Sequence, residues 1–158
     1  MPKLSAALLL YRIRNRQIEV LLVHPGGPFW AKRDDGAWSI PKGEYEVGED
    51  PLTAAYREFH EELGHAAPPG AAVNLGEIRQ RGGKRVRAWA VHGDLDVSSV
   101  ASNCFEMEWP PRSGIRTEFP EVDRAEWFDL ATARLKLLLA HTDFLDHLEA
   151  RLTGLKPA

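Results

Sequence analysis

Three glutamates, Glu58, Glu61 and Glu62, stand at i, i+3 and i+4 in the run Arg57-Glu58-Phe59-His60-Glu61-Glu62-Leu63-Gly64. On a helix that spacing sends three carboxylates off one face, close enough to repel one another. A hard divalent cation turns the repulsion into binding, because Mg²⁺ takes oxygen ligands and is usually held by carboxylates together with waters and substrate phosphates. An isolated E-x-x-E-E patch is more often a solvated helix face, with Arg57 an ordinary surface partner. Gly43 and Glu49 upstream reverse that balance.

From Gly43 to His65 the chain resembles the Nudix box: glycine, five residues, glutamate, seven residues, then Arg-Glu-apolar-x-Glu-Glu-x-Gly-apolar. Gly43, Glu49, Arg57, Glu58, Phe59, Glu61, Glu62 and Gly64 all fall in place. At residue frequencies of about 5 to 7% each, seven fixed identities at fixed spacing recur by chance on the order of once in a billion windows. The one departure is His65, where the family prefers an aliphatic residue. It lies at the helix exit, so it bears on local packing and not on the carboxylates. Upstream, Trp38-Ser39-Ile40-Pro41-Lys42-Gly43 resembles the Trp-x-x-Pro-Lys-Gly approach of the family's dinucleoside polyphosphate hydrolases.

The resemblance implies an α/β/α sandwich around a mixed β-sheet, and an enzyme that cleaves a pyrophosphate bond in a nucleoside diphosphate linked to another group, by attack of water on phosphorus. It implies Mg²⁺ (or Mn²⁺) as cofactor, with Glu58, Glu61, Glu62 and the Gly43 carbonyl as ligands. Arg57 then orients a glutamate through its fork, with Glu49 the candidate. The general base in such enzymes comes from the box or from a loop glutamate before the last strand. Glu58 is the choice within the box, with Glu62 also counted among the catalytic carboxylates. Glu121, six residues before Trp127, suits the loop position, and Glu118 competes with it.

Substrate recognition is less sharply written. Lys42 is the first candidate for a phosphate contact because it directly precedes the metal-binding loop, ahead of Lys32, Arg33, Arg79 and Arg112. Phe29, Trp30, Trp89 and Trp109 are candidates for stacking on a base, although a tryptophan in a strand is more often core. The six histidines show no zinc-ligand spacing. A dinucleoside polyphosphate or a nucleoside triphosphate is the favoured small-molecule nucleotide substrate. ADP-ribose or an NDP-sugar is the alternative, and so is a nucleotide-binding module of the same fold without turnover. The tyrosine that marks many dinucleoside polyphosphate enzymes downstream of the box is absent, Tyr56 being the last tyrosine. So is the proline that marks ADP-ribose enzymes.

The elements that must hold these residues are legible around them. Pro51 suits a first helical turn, Glu49 or Asp50 can cap it, and Gly64 can end it. Leu52, Ala55, Tyr56, Phe59 and Leu63 form an apolar stripe beside the glutamates. Ser5 to Ile13 and Ile18 to Val23 read as a hairpin around Arg14-Asn15-Arg16-Gln17, and a loop rich in proline and glycine follows from His24 to Gly36. Trp38 to Pro41 reads as a short strand. Val73 to Gln80 and Lys84 to His92 flank the turn Arg81-Gly82-Gly83. Phe105, Met107 and Trp109 alternate with glutamates as one strand inside a long connection from Asp94 to Ala125, and Glu126 to Phe128 is a last short strand. Leu135, Leu138, Leu139, Leu145, Leu148 and Leu152 mark a terminal helix, broken near His141-Thr142-Asp143.

At 158 residues with a net charge of −3, the chain is expected to form a single domain over 1–158. Its charge gives no basic footprint for a nucleic acid polymer. Cys104 is the only cysteine, which rules out an internal disulfide and fits a reducing compartment. The apolar run Ala6 to Tyr11 is far too short to span a bilayer. The cytoplasm and no membrane partner are the resulting expectations, and nothing in the sequence fixes the oligomeric state.

Overall fold

The computed structural model describes residues 3–153. In chain order the elements are β1 (Leu4–Arg14), β2 (Gln17–Pro25), β3 (Lys42–Glu44), α1 (Pro51–Leu63), β4 (Val73–Arg79), β5 (Arg85–His92), β6 (Cys104–Glu108), β7 (Arg116–Pro120), β8 (Val122–Asp129), α2 (Leu130–Lys136) and α3 (Thr142–Thr153). Single 3₁₀ turns lie at Val97–Ser99 and Leu139–His141.

β1 is the axis of the molecule. It runs parallel to β5 and antiparallel to β2 and β3, within a mixed sheet of order β4-β5-β1-β2-β8 in which β3 also pairs with β1. Along it, Ala7, Leu9 and Tyr11 pack with Phe144, Leu145 and Leu148 of α3, while Ala6, Leu8 and Leu10 pack with Ala54, Ala55, Phe59 and Leu63 of α1. Both faces of β1 are therefore dry, which is why Ala6 to Tyr11 is apolar throughout instead of alternating. Helices on both faces of a mixed sheet make the α/β/α sandwich expected from the sequence.

Several boundaries differ from the sequence reading. The first hairpin turns on only two residues, Asn15 and Arg16, both at positive φ (50° and 66°), with Arg14 paired directly to Gln17. This is the backbone of a type I′ turn, which carries no glycine here. Trp38 to Pro41 is not a strand of its own: Trp38 bridges in parallel to Leu137 and Ser39 antiparallel to Val23, and the ladder with β1 begins at Lys42. The connection after β5 holds two strands and not one, since β7 pairs with β6 in a separate hairpin, with Phe105 opposite Phe119 and Met107 opposite Thr117. The last strand starts at Val122, four residues earlier than expected.

The C-terminal leucine pattern also needs correction. Leu135 and Leu139 are 65% and 85% exposed, and the buried positions are Ala133, Leu137, Phe144, Leu145 and Leu148. The helix breaks at Leu137, whose backbone turns extended to pair with Trp38: Trp38 donates to the Lys136 carbonyl at 3.0 Å, and Leu138 donates to the Trp38 carbonyl at 2.8 Å. Trp38 is 1% exposed, stacks edge-on against Phe128 and donates its indole N–H to Asp34. This junction fixes the segment that delivers Pro41, Lys42 and Gly43 to the start of the candidate site.

Candidate active site

The helix that carries the three glutamates is closed at both ends. Asp50 caps it by accepting from the Thr53 N–H at 3.0 Å, Pro51 fills the first turn, and Gly64 ends it at φ 74° with its N–H on the His60 carbonyl. Burial of Ala54, Ala55, Phe59 and Leu63 against the sheet fixes the rotation of α1, and Glu58 and Glu62 then face β3. The main-chain N–H of Lys42 donates to Glu62 Oε1 at 2.9 Å.

Gly43 meets Glu58. A Cβ built on Gly43 would lie 2.0 Å from the carboxyl carbon and from one oxygen of Glu58, so only a glycine leaves that carboxylate where it is. The obstructing group is the tip of a flexible side chain, which can swing aside without unfolding anything. Gly43→Ala should therefore melt within a few degrees of wild type, yet lose at least tenfold in kcat/KM with Mg²⁺. Unchanged kinetics in a folded variant would show that the position of the Glu58 carboxylate does not matter.

Arg57 spans the entrance to this pair. It donates through Nη1 to Glu49 Oε2, and through Nη2 to Glu58 Oε1 at 3.2 Å and to the Glu44 carbonyl at 3.3 Å. Its Nε lies 3.9 Å from Glu61 Oε1. One guanidinium thus ties the end of β3 to three glutamates, a geometry that a lysine's single ammonium could not reproduce.

The charges are not balanced. Burial pushes the Glu62 carboxyl up to about 7, against the opposing pull of the Lys42 N–H and of the Lys42 charge, with Glu58 and Glu121 adding repulsion. Glu58 is raised by burial and then by Glu61, with Arg57 offsetting part of the shift. Glu121 is raised by burial and by Glu61. Four carboxylates, three from α1 and one from the residue between β7 and β8, therefore feel one another, with Arg57 the cation hydrogen-bonded among them.

Glu121 reaches this place because its main chain is clamped on both sides. Its N–H donates to the Asn103 carbonyl at 2.8 Å, and its carbonyl accepts from the Gly26 N–H at 3.0 Å. Gly26 is held so close that an added Cβ would lie 2.0 Å from the Pro120 carbonyl oxygen, an obstruction by backbone that cannot move aside. Glu118 sits differently, on β7 opposite Glu106 and beside the Cys104 thiol.

A family model described as NUDIX domain matches residues 1–148. The chain belongs to the NUDIX family. It is 46% identical over 66 residues to an RNA pyrophosphohydrolase of Rhodospirillum rubrum, a stretch that covers 40% of this chain and 38% of the relative. It is 41% identical over 97 residues to an 8-oxo-(d)GTP phosphatase of Mycolicibacterium smegmatis, covering 60% of this chain and 27% of that one. The chain thus spans well under half the length of these two relatives. A crystal structure of a C. elegans Ap4A hydrolase binary complex superposes with a TM-score of 0.66 at 22% identity, over 95% of this chain and 98% of that one. At that identity the likeness speaks for the fold.

Within this NUDIX fold the structure gathers Gly43, Arg57, Glu58, Glu61, Glu62 and Glu121 at one end of the sheet. Lys42 is divided between its two faces. It stands opposite Ala7 in the β1 ladder, and Ala7 belongs to the core beneath α3, whereas Gly43 stands opposite Ala6 on the α1 side. Directly opposed residues share a face, so the Lys42 side chain leaves the sheet away from α1. The main-chain N–H reaches the carboxylates; the ammonium, its pKa lowered by burial and then by Lys84 with Glu62, Glu58 and Glu44 pulling the other way, does not hydrogen-bond to them. Strand alternation sends the ammonium towards the other face, from which its charge still acts on Glu62 and Glu58.

Among the described residues no set of three or more His, Cys, Asp or Glu side chains stands in a geometry that would hold a metal ion. Glu58 leans to Arg57 and Glu62 to the Lys42 N–H. The residues nonetheless suit a hard cation: every candidate donor is oxygen, the carboxylates repel, and Gly43 leaves room beside one of them. His65, the departure from the box, accounts for itself through a 2.9 Å hydrogen bond with the Ser99 carbonyl. Trp89 is core, packed on the α1 side. No helix among the described residues is long and apolar enough to cross a membrane.

Proposed function

We propose that this NUDIX protein is a divalent-metal-dependent pyrophosphohydrolase acting on a nucleotide with an extended phosphate chain, a nucleoside triphosphate or a dinucleoside polyphosphate. The observation that carries the proposal is the meeting of Glu58, Glu61, Glu62 and Glu121 around the Gly43 loop, with three of their pKa values raised. Phosphoryl transfer asks a protein mainly for positioning and charge neutralisation. Bound Mg²⁺ or Mn²⁺ would supply charge for the phosphate oxygens and acidify water. Glu58, Glu61, Glu62 and the Gly43 carbonyl would hold it. Arg57 keeps Glu58 and Glu49 in place, and the Lys42 N–H orients Glu62.

In this reading Glu121 accepts the proton of the attacking water. It stands near the box carboxylates, and its raised pKa makes it a better base near neutrality than an ordinary glutamate. Glu121→Gln should depress kcat by roughly 10²- to 10⁴-fold, with metal affinity and KM nearly unchanged, and Glu118→Gln should be mild. The reverse pattern would hand the role to Glu118, and two mild variants would return it to Glu58.

Similarity to an RNA pyrophosphohydrolase and to an 8-oxo-(d)GTP phosphatase favours phosphate-chain substrates, so a panel with both products identified is the direct test of class. It holds nucleoside triphosphates including 8-oxo-dGTP, diadenosine tetraphosphate, a 5′-triphosphorylated oligoribonucleotide, ADP-ribose and an NDP-sugar. ADP-ribose or an NDP-sugar turned over best would move the enzyme to another branch of the family. Tight nucleotide binding with no turnover on any of them would make it a binding module.

A further inference from the structure

β8 carries one residue more than β2 at the end that leads to Glu121. His24 stands opposite Arg124 and Pro25 opposite Val122, so Asp123 has no counterpart on β2. Val122 and Ala125 consequently pack together on the α1 side, although strict strand alternation would send residues three apart to opposite faces. An inserted residue of this kind bends a strand and re-aims the side chains beside it. The residue next to Val122, on the far side of the insertion, is Glu121. Among the described residues no side chain hydrogen-bonds to the Glu121 carboxylate, so its direction rests on the main chain that carries it.

The insertion is pinned by His24, whose side chain is 0% exposed. The ring donates through Nδ1 to Asp123 Oδ1 at 2.9 Å and through Nε2 to the Arg33 carbonyl at 2.6 Å. A carboxylate and a carbonyl only accept, so the ring meets both with a proton on each nitrogen, and the Asp123 contact is then charge-assisted. Trp38 packs edge-on against the ring at 5.2 Å between centroids, and Arg124 Nε lies 3.9 Å from Asp123 Oδ1. One buried side chain thus joins the end of β2, the loop at Arg33 and the extra residue of β8. Two residues after His24 and two before Asp123, the Gly26 N–H meets the Glu121 carbonyl at 3.0 Å. Resting on the reading of Glu121 as the base, we propose that His24 and Asp123 are positioning residues for it. Their contact holds the extra residue in place and so sets the direction in which the Glu121 carboxylate is presented.

Asp123 is the position to vary, because its side chain is 33% exposed and can be cut without opening the core, as His24 cannot. Asp123→Ala should lower kcat about tenfold or more, since slight misplacement of a reacting group is costly, with KM and Mg²⁺ affinity little changed. Asp123→Asn should keep kcat within about threefold of wild type, because the amide can donate to Nδ1 of a neutral His24 and preserve both contacts. In a Glu121→Gln background Asp123→Ala should cost little more, as expected of residues that act through one group. Amide hydrogen exchange at Gly26 should quicken in Asp123→Ala and not in Asp123→Asn, a readout free of catalysis. Wild-type kcat in Asp123→Ala, or losses that multiply in the double variant, would overturn the inference and leave Glu121 as the base. A mild Glu121→Gln would instead sink the base reading, and unchanged Gly26 exchange in Asp123→Ala would show that the pair does not hold this segment at all.

Discussion

Glu62→Gln should lose at least a hundredfold in kcat/KM, about 2.7 kcal/mol of transition-state stabilisation, while melting at or above the wild-type temperature in the absence of metal. The two effects share one cause. The Glu62 carboxyl sits where burial lifts its pKa from 4.5 to about 7, so the folded protein binds its proton more tightly than the unfolded chain does. Its contribution to stability therefore falls as pH rises from about 4.5 to 7, and stays at its most unfavourable above that window. A shift of this size corresponds to roughly 3 kcal/mol. The amide carries no charge to desolvate, and its oxygen can still accept from the Lys42 N–H. Urea unfolding of both proteins without metal at pH 5 and pH 8 should show the variant gaining on wild type at the higher pH. A variant with wild-type kinetics would move the metal site elsewhere, and one that unfolds far more easily at pH 8 would show that the buried charge is already compensated.

The helix of the box was the most legible part of the chain because every signal in it is local. Asp50, Pro51 and Gly64 act within one turn of the helix ends, and the apolar stripe fixes which side is buried. Glu121 was legible only as one of two choices. Its main chain is held by Gly26 and Asn103, residues 95 and 18 positions away in the chain, which no local pattern reports. Lys42 shows a related effect: adjacency in sequence to Gly43 suggests a common location, but in a strand adjacent residues face opposite ways, so its N–H meets Glu62 while its ammonium acts on the carboxylates only through its charge. The Arg57 contact to the Glu44 carbonyl was not foreseen, since a main-chain acceptor leaves no mark in the sequence.

In the fold, the strands along the central sheet were read well where one or both faces are buried, and poorly at the margins. β7 was missed although Thr117 and Phe119 alternate with Arg116 and Glu118, because among the described residues it pairs with β6 alone and the hairpin buries little. The leucine-rich C-terminal segment misled in the opposite way. Leu135 and Leu139 fit a continuous helix, but the Trp38 bridge at Leu137 breaks the helical phase, so the residues after it start a new face. Phe29 and Trp30 carry no local mark of what they face, because Phe105 and Met107, across a cleft from them, come from β6, some 75 residues later.

Chelation should abolish turnover completely, with Mg²⁺ or Mn²⁺ restoring it, and the same titration should be visible in stability. Burial and neighbouring carboxylates raise the proton affinity of Glu58 and Glu62 in the metal-free protein, so a divalent cation competes with protons for the same oxygens and releases them on binding. Binding the folded state alone adds RT ln(1 + [metal]/Kd), about 2.7 kcal/mol at a hundredfold excess over Kd. The gain should grow as pH rises from 4.5 towards 7, because fewer protons then need displacing. Saturating Mg²⁺ should thus flatten the loss of stability that the metal-free protein shows across that window, and the flattening should be weaker in Glu62→Gln. Melting curves at pH 5 and pH 8, with and without Mg²⁺, test the coupling independently of any substrate. Full turnover in excess EDTA would remove the metal from the mechanism, and an equal Mg²⁺ effect at both pH values would place the bound ion away from these carboxylates.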